Sequence, residues 1–165
     1  MEEHSINIAY TEFESVAELE TTDRDLLAMA ADACNKAYAP YSMFQVGAAL
    51  LLDNGEIVCG NNQENAAYPS GLCAERVAMF AASARFPGIA FKSIAITAKS
   101  KNFVVNQPVS PCGACRQVMA EYEKLGNKAF KVILKGESGK IIVLNNSSAL
   151  MPMAFNSSHL NPGQK

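Results

Sequence analysis

Val46-Gly47-Ala48-Ala49-Leu50-Leu51-Leu52-Asp53-Asn54-Gly55-Glu56-Ile57-Val58-Cys59 carries the reading from which the fold follows. Two apolar runs flank Asp53-Asn54-Gly55. An Asn-Gly pair tolerates the positive φ angles of a tight hairpin, so the runs are antiparallel neighbouring strands. Upstream, Ile6-Asn7-Ile8-Ala9-Tyr10 alternates apolar and polar residues like a short edge strand. Thr22 followed by Asp25 resembles a capping box, and Leu26, Leu27, Met29, Ala30, Ala33, Cys34 and Ala37 recur at helical spacing until Pro40. Downstream, the spacing predicts a helix over Cys73 to Arg85, stopped by Phe86-Pro87-Gly88, then a buried strand from Phe91 to Ala98. A third helix is expected over Cys112 to Leu125, with Gly126 as its C-cap. Phe130 to Leu134 and Ile141 to Leu144 read as strands around a Gly136-Glu137-Ser138-Gly139 turn. This order lets helices cover both faces of one sheet, giving a three-layer α/β/α fold with a mixed five-stranded sheet.

With 165 residues, 49% of them hydrophobic, the chain suits one domain over residues 22–165, preceded by an extension over residues 1–21. The start, Met1-Glu2-Glu3-His4, lacks the cationic and apolar regions of a secretory signal, and no later run approaches transmembrane length. No membrane partner is expected. Five cysteines without an export signal point to a reducing compartment, the cytoplasm, where thiols bind metal or sit in cores. The net charge of −2 and the absence of clustered Lys and Arg argue against nucleic acid and for a small substrate.

Two strings concentrate the chemistry: Cys73-Ala74-Glu75-Arg76 and Pro111-Cys112-Gly113-Ala114-Cys115-Arg116. Both fall at helix starts, where backbone N–H groups and the helix dipole favour thiolate. Cys112 and Cys115 lie one turn apart on one helix face, so both sulfurs can reach one ion, with Cys73 arriving from the other helix. The chain has only two histidines, His4 and His159, one near each end, and neither is a natural fourth ligand. Cys34 and Cys59 read as core thiols. Three ligands plus water is the pattern of a catalytic rather than a structural Zn²⁺ site, with one zinc per chain. Glu75, two positions beyond a ligand, is placed to shuttle protons without binding the metal. Three thiolates on Zn²⁺ leave a net charge of −1, and Arg76, in preference to Arg116, is placed to offset it.

At these residues the chain resembles the cytidine deaminase family in its small, homotetrameric, zinc-dependent form. The likeness extends over Ala39-Pro40-Tyr41-Ser42-Met43-Phe44-Gln45-Val46-Gly47-Ala48-Ala49, Asn62-Gln63-Glu64-Asn65-Ala66 and both cysteine strings. It implies a cytidine deaminase-like fold and hydrolytic deamination of cytidine and 2′-deoxycytidine, with release of ammonia, in pyrimidine salvage. It also implies that Asn62 and Glu64 grip the ribose 3′-hydroxyl, Phe44 walls the pyrimidine, and the Ala74 backbone meets the base edge. Leu150-Met151-Pro152-Met153-Ala154-Phe155 resembles the family segment whose Phe enters a neighbouring subunit's pocket, so Phe155 is expected to act across a homotetramer interface. Two alternatives stay open: a deaminase of a related nucleoside such as blasticidin S, and a thiol redox protein using the Cys112 and Cys115 pair.

Overall fold

The computed structural model describes residues 1–160. The expected hairpin forms one end of the sheet, with its second strand at the edge. Strands β2 (Phe44–Leu52) and β3 (Ile57–Asn61) pair antiparallel, Gly55 takes φ 88° in the turn, and the Asn54 side chain accepts from the Glu56 N–H. Around it lie β1 (Thr11–Phe13), α1 (Thr21–Cys34), α2 (Ala74–Arg85), β4 (Phe91–Ser100), α3 (Gly113–Leu125), β5 (Lys131–Lys135), β6 (Ile141–Leu144) and a last short turn of helix, α4 (Ser157–Leu160). The strands form one mixed sheet in the order β1-β6-β5-β4-β2-β3, in which only β4 and β5 run parallel, joined by the α3 crossover.

The sheet separates two apolar layers. Ala48, Leu50 and Leu52 of β2 join Ile94 and Ile96 of β4, Val132 and Leu134 of β5, Ala78, Met79 and Ala82 of α2, and Met119 of α3. The alternate residues Ala49, Leu51, Ala95 and Ile133 face Leu26, Leu27 and Ala30 of α1 on the other side. Strand periodicity thus makes the central strands apolar on both faces, because both are covered. This is the three-layer α/β/α arrangement expected from the sequence.

Four details differ from the sequence reading. The sheet has six strands, not five, because Thr11–Phe13 adds to β6. That strand lies just beyond Ile6–Tyr10, whose Ile6, Ile8 and Tyr10 are exposed; alternation marks extended chain but not the stretch that meets an edge. Helix α1 begins at Thr21 without a side-chain cap, and Asp23 in its first turn is buried, accepting from Lys131 Nζ at 2.7 Å. Gly126 caps α3 in right-handed geometry, φ −78°, and Asn127 takes the left-handed position at φ 47°. Cys59 is exposed on the edge strand β3, while Cys34 is buried as expected. The 22–165 domain boundary ends on residues outside the described ones. No helix of the described residues is long and apolar enough to cross a membrane.

Close packing of α2 on β3 depends on Gly60. A Cβ there would stand 2.5 Å from both the Ala74 carbonyl oxygen and the Ala78 nitrogen, in the helix that opens with Cys73. Backbone cannot yield as a flexible side chain would. Gly60→Ala is therefore expected to destabilise the chain by about 1–3 kcal/mol or more. Urea unfolding of the two proteins measures this, and an unchanged midpoint would contradict the close approach.

Candidate functional site

Two helix starts meet at one point. Cys73 is the residue before α2 and Cys112 the residue before α3, both with extended backbone, and Cys115 lies in the first turn of α3. Neither Cys73 nor Cys112 spends its side chain on capping its helix. The three sulfurs lie within 4.8 Å of one another, with Cys73 to Cys112 at 3.7 Å and Cys112 to Cys115 at 3.4 Å. Tetrahedral zinc with Zn–S bonds of ~2.3 Å places sulfurs about 3.8 Å apart, so the donor set fits that ion in both chemistry and spacing.

The sulfurs differ in their surroundings. Cys115 is fully buried, Cys73 half-buried and Cys112 exposed. A hydrogen bond from the Cys115 thiol, then those from the Arg76 guanidinium and from Cys112, outweigh burial and pull the Cys73 thiol down to about 5. Cys115, the proton-holding partner in that pair, is pushed up by the same hydrogen bond and by its own burial. Arg76 Nη2 stands 3.7 Å from Cys73 Sγ, and its Nε is buried with no partner. Arg116 instead donates to the carbonyl oxygens of Pro111 and Leu150. Of the two arginines, Arg76 is the one beside a sulfur.

Beside the sulfurs opens a cavity of about 660 Å³ lined by Cys73, Glu75, Arg76 and Cys112, by Val46 and Ile96 from the sheet, and by Asn62, Glu64, Tyr41 and Tyr68 at its mouth. Glu75 is 4% exposed yet borders this space. Burial, with the neighbouring Cys73 charge, pushes its carboxyl above the usual carboxylate range, which suits a group that must hold and release a proton.

The loop after β3 presents Asn62 and Glu64 from firm supports. Asn62 Oδ1 accepts from the Val46 N–H at 2.7 Å and its Nδ2 donates to the Phe44 carbonyl at 2.9 Å. Glu64 accepts from the Tyr41 and Ser42 N–H groups at 2.9 and 3.2 Å and from the Ser42 hydroxyl. Slight burial opposes ionisation, but these hydrogen bonds win and hold Glu64 below the usual range. Each side chain keeps hydrogen-bonding capacity, a second N–H on Asn62 and further lone pairs on Glu64.

Three expected contacts lie outside the cavity lining. Phe44 leans on Phe103, ring centroids 6.3 Å apart, at the start of β2. Ala74 is fully buried behind the site. Phe155 is 55% exposed, stacked on His159 and not among the residues that line its own chain's cavity. The rim pair Tyr41 and Tyr68, edge to face at 6.2 Å, was not singled out by sequence reasoning. The sequence marks it faintly, since Tyr68 follows the polar loop that holds Glu64 but Tyr41 lies before β2 and is brought there by the fold.

Residues 20–128 match the family model described as the cytidine and deoxycytidylate deaminase zinc-binding region. The chain is 44% identical to a cytidine deaminase of Halalkalibacterium halodurans over 84% of its own length and 98% of that protein. It is 42% identical to one from Sporosarcina psychrophila, covering 82% and 92%. In structure it is similar to the cytidine deaminase from Burkholderia pseudomallei, with TM-score 0.69 and 43% identity over 79% of this chain and 97% of that one.

The lowered Cys73 thiol gives a test in the metal-free protein. At about pH 6.5 Cys73 is mostly thiolate and should be alkylated by iodoacetamide well ahead of Cys59, an exposed residue whose thiol partial burial pushes up. Added zinc should suppress the reaction at Cys73. Peptide mapping that finds Cys59 modified first, or no protection by zinc, would contradict this electrostatic picture.

Proposed function

The chain belongs to the cytidine and deoxycytidylate deaminase zinc-binding family and is a hydrolytic deaminase, and from that premise we propose that its substrates are free cytidine and 2′-deoxycytidine, converted to the uridine nucleosides with release of ammonia. The observation that carries the reading is the buried Glu75 carboxyl beside three convergent thiols, at the inner end of a cavity whose mouth holds Asn62 and Glu64. Cys73, Cys112 and Cys115 would hold one zinc ion per chain. When bound, that ion supplies Lewis acidity, which makes water nucleophilic near neutral pH.

The chain's own residues do the rest. Glu75 takes a proton from the attacking water and delivers it to the ring nitrogen of the cytosine, then carries the second proton of that water from the added hydroxyl to the departing amine, which leaves as ammonia. Its raised affinity for protons serves the second and third of these transfers. Arg76 offsets the excess negative charge of the three thiolates, which would otherwise disfavour loss of the water proton. Asn62 and Glu64 grip the ribose 3′-hydroxyl through the donor and acceptor sites left free by their backbone contacts. Val46 and Ile96 line the cavity and give the base an apolar floor, while Phe44 and the Ala74 backbone, which lie outside that lining, are assigned to the base by the family likeness alone.

Phe155, exposed and outside its own cavity, completes the site of a neighbouring chain in a homotetramer. The enzyme works in the cytoplasm, in pyrimidine salvage.

Glu75→Gln preserves shape while removing the proton carrier. It should retain one zinc per chain and lose at least about 100-fold in turnover, followed as loss of cytosine absorbance. Activity near that of the unaltered enzyme would refute the assignment. Ammonia release from cytidine, deoxycytidine and blasticidin S in parallel tests the substrate class, and turnover of blasticidin S alone would reassign it.

A further inference from the structure

Arg116 directly follows the last cysteine of the triad, yet its guanidinium is committed to two carbonyls. Nε donates to Pro111 O at 2.8 Å and Nη1 to Leu150 O at 3.1 Å. Gln117, the next residue, donates from Nε2 to Phe155 O at 2.7 Å. One planar fork thus joins the loop that enters the cysteine pair to the turn Ser147–Leu150, and its neighbour holds the far end of the arm that follows.

That arm has little else to place it. Residues 151–156 belong to no helix or strand, and Met153 and Phe155 project outward at 85% and 55% exposure. A segment with two exposed apolar anchors and no ladder of its own would sample many directions unless pinned at both ends. Arg116 pins its root and Gln117 its tip, both from the first turns of α3, the helix that also carries Cys115.

We propose that Arg116 and Gln117 are positioning residues for the deaminase reaction: they aim the C-terminal arm so that Phe155 stacks on the nucleoside bound by the neighbouring chain. This rests on the reading of Phe155 given above. Lysine could not replace Arg116, because one ammonium cannot span both carbonyls as the guanidinium fork does. The role also differs from that of Arg76, which acts on a sulfur and not on the chain.

The test is steady-state kinetics with cytidine on the zinc-loaded enzyme, with zinc content and oligomer size measured for every variant. Phe155→Ala should raise KM by about 5- to 150-fold, the range set by loss of a base–aromatic stack. Arg116→Met and Gln117→Glu should each raise KM by about 5-fold or more at full zinc occupancy, and Arg116→Lys should behave like Arg116→Met. Because all act through one contact, Phe155→Ala combined with Arg116→Met should be no worse than Phe155→Ala alone. Unchanged KM in both the Arg116→Met and Gln117→Glu variants overturns the proposal, as do effects that multiply in the double variant. Zinc loss in Arg116→Met that Arg116→Lys restores overturns it in favour of a charge role at the metal. If Phe155→Ala itself leaves KM unchanged, the reading of the arm fails and the positioning role fails with it, whatever the Arg116 variants do.

Discussion

Three sulfurs carried at the starts of two helices must arrive within 4.8 Å of one another, and most of the structure serves that convergence. Cys73 and Cys112 are each the last residue before a helix, so their places depend on where α2 and α3 start. The start of α2 is set by its close approach to β3 at Gly60, and that of α3 by the crossover linking the parallel pair β4 and β5. The buried layer of Ala78, Met79, Ile94, Ile96 and Met119 then holds both helices against the same sheet face. A lever of apolar packing therefore sets a polar site, and the thiols need no flexible loop to find each other.

That geometry has an electrostatic consequence. Thiolates at two helix N-termini are favoured by the backbone, but three of them overcompensate a divalent ion. Arg76 answers this from the helix turn above Cys73, while burial of Glu75 biases its carboxyl toward carrying a proton. The sugar end of the cavity is built differently. There a turn at Tyr41-Ser42 and the strand β2 commit backbone groups to Glu64 and Asn62, so these two side chains are oriented before any ligand arrives.

The layered fold was readable because periodicity and turn chemistry act locally: the Asn54-Gly55 hairpin, the helix after Cys73 and the strand from Phe91 need no distant information. What escaped depended on pairing across the chain. The sixth strand shifted from Ile6–Tyr10 to Thr11–Phe13, since only a neighbouring edge decides which extended residues join a sheet. Asp23, in the first turn of α1, is the buried partner of Lys131, over a hundred positions away, and nothing in its local sequence marks it as such. Cys59 alternates as a core residue would, but its strand is an edge. In the site, the cysteine spacing and Glu75 were legible, and the geometry favours Arg76 over Arg116 beside the sulfur. The carbonyl clamp of Arg116 left no mark in the sequence, because its acceptors are backbone atoms that any residue could supply.

Catalysis as proposed needs three cysteines holding a zinc ion with one position left for water, and X-ray absorption at the zinc edge of the purified enzyme addresses that directly. Three sulfur scatterers at about 2.3 Å and one oxygen at ~2.0 Å are expected. Four sulfurs, or a fourth ligand from protein nitrogen, would make the site structural and contradict it.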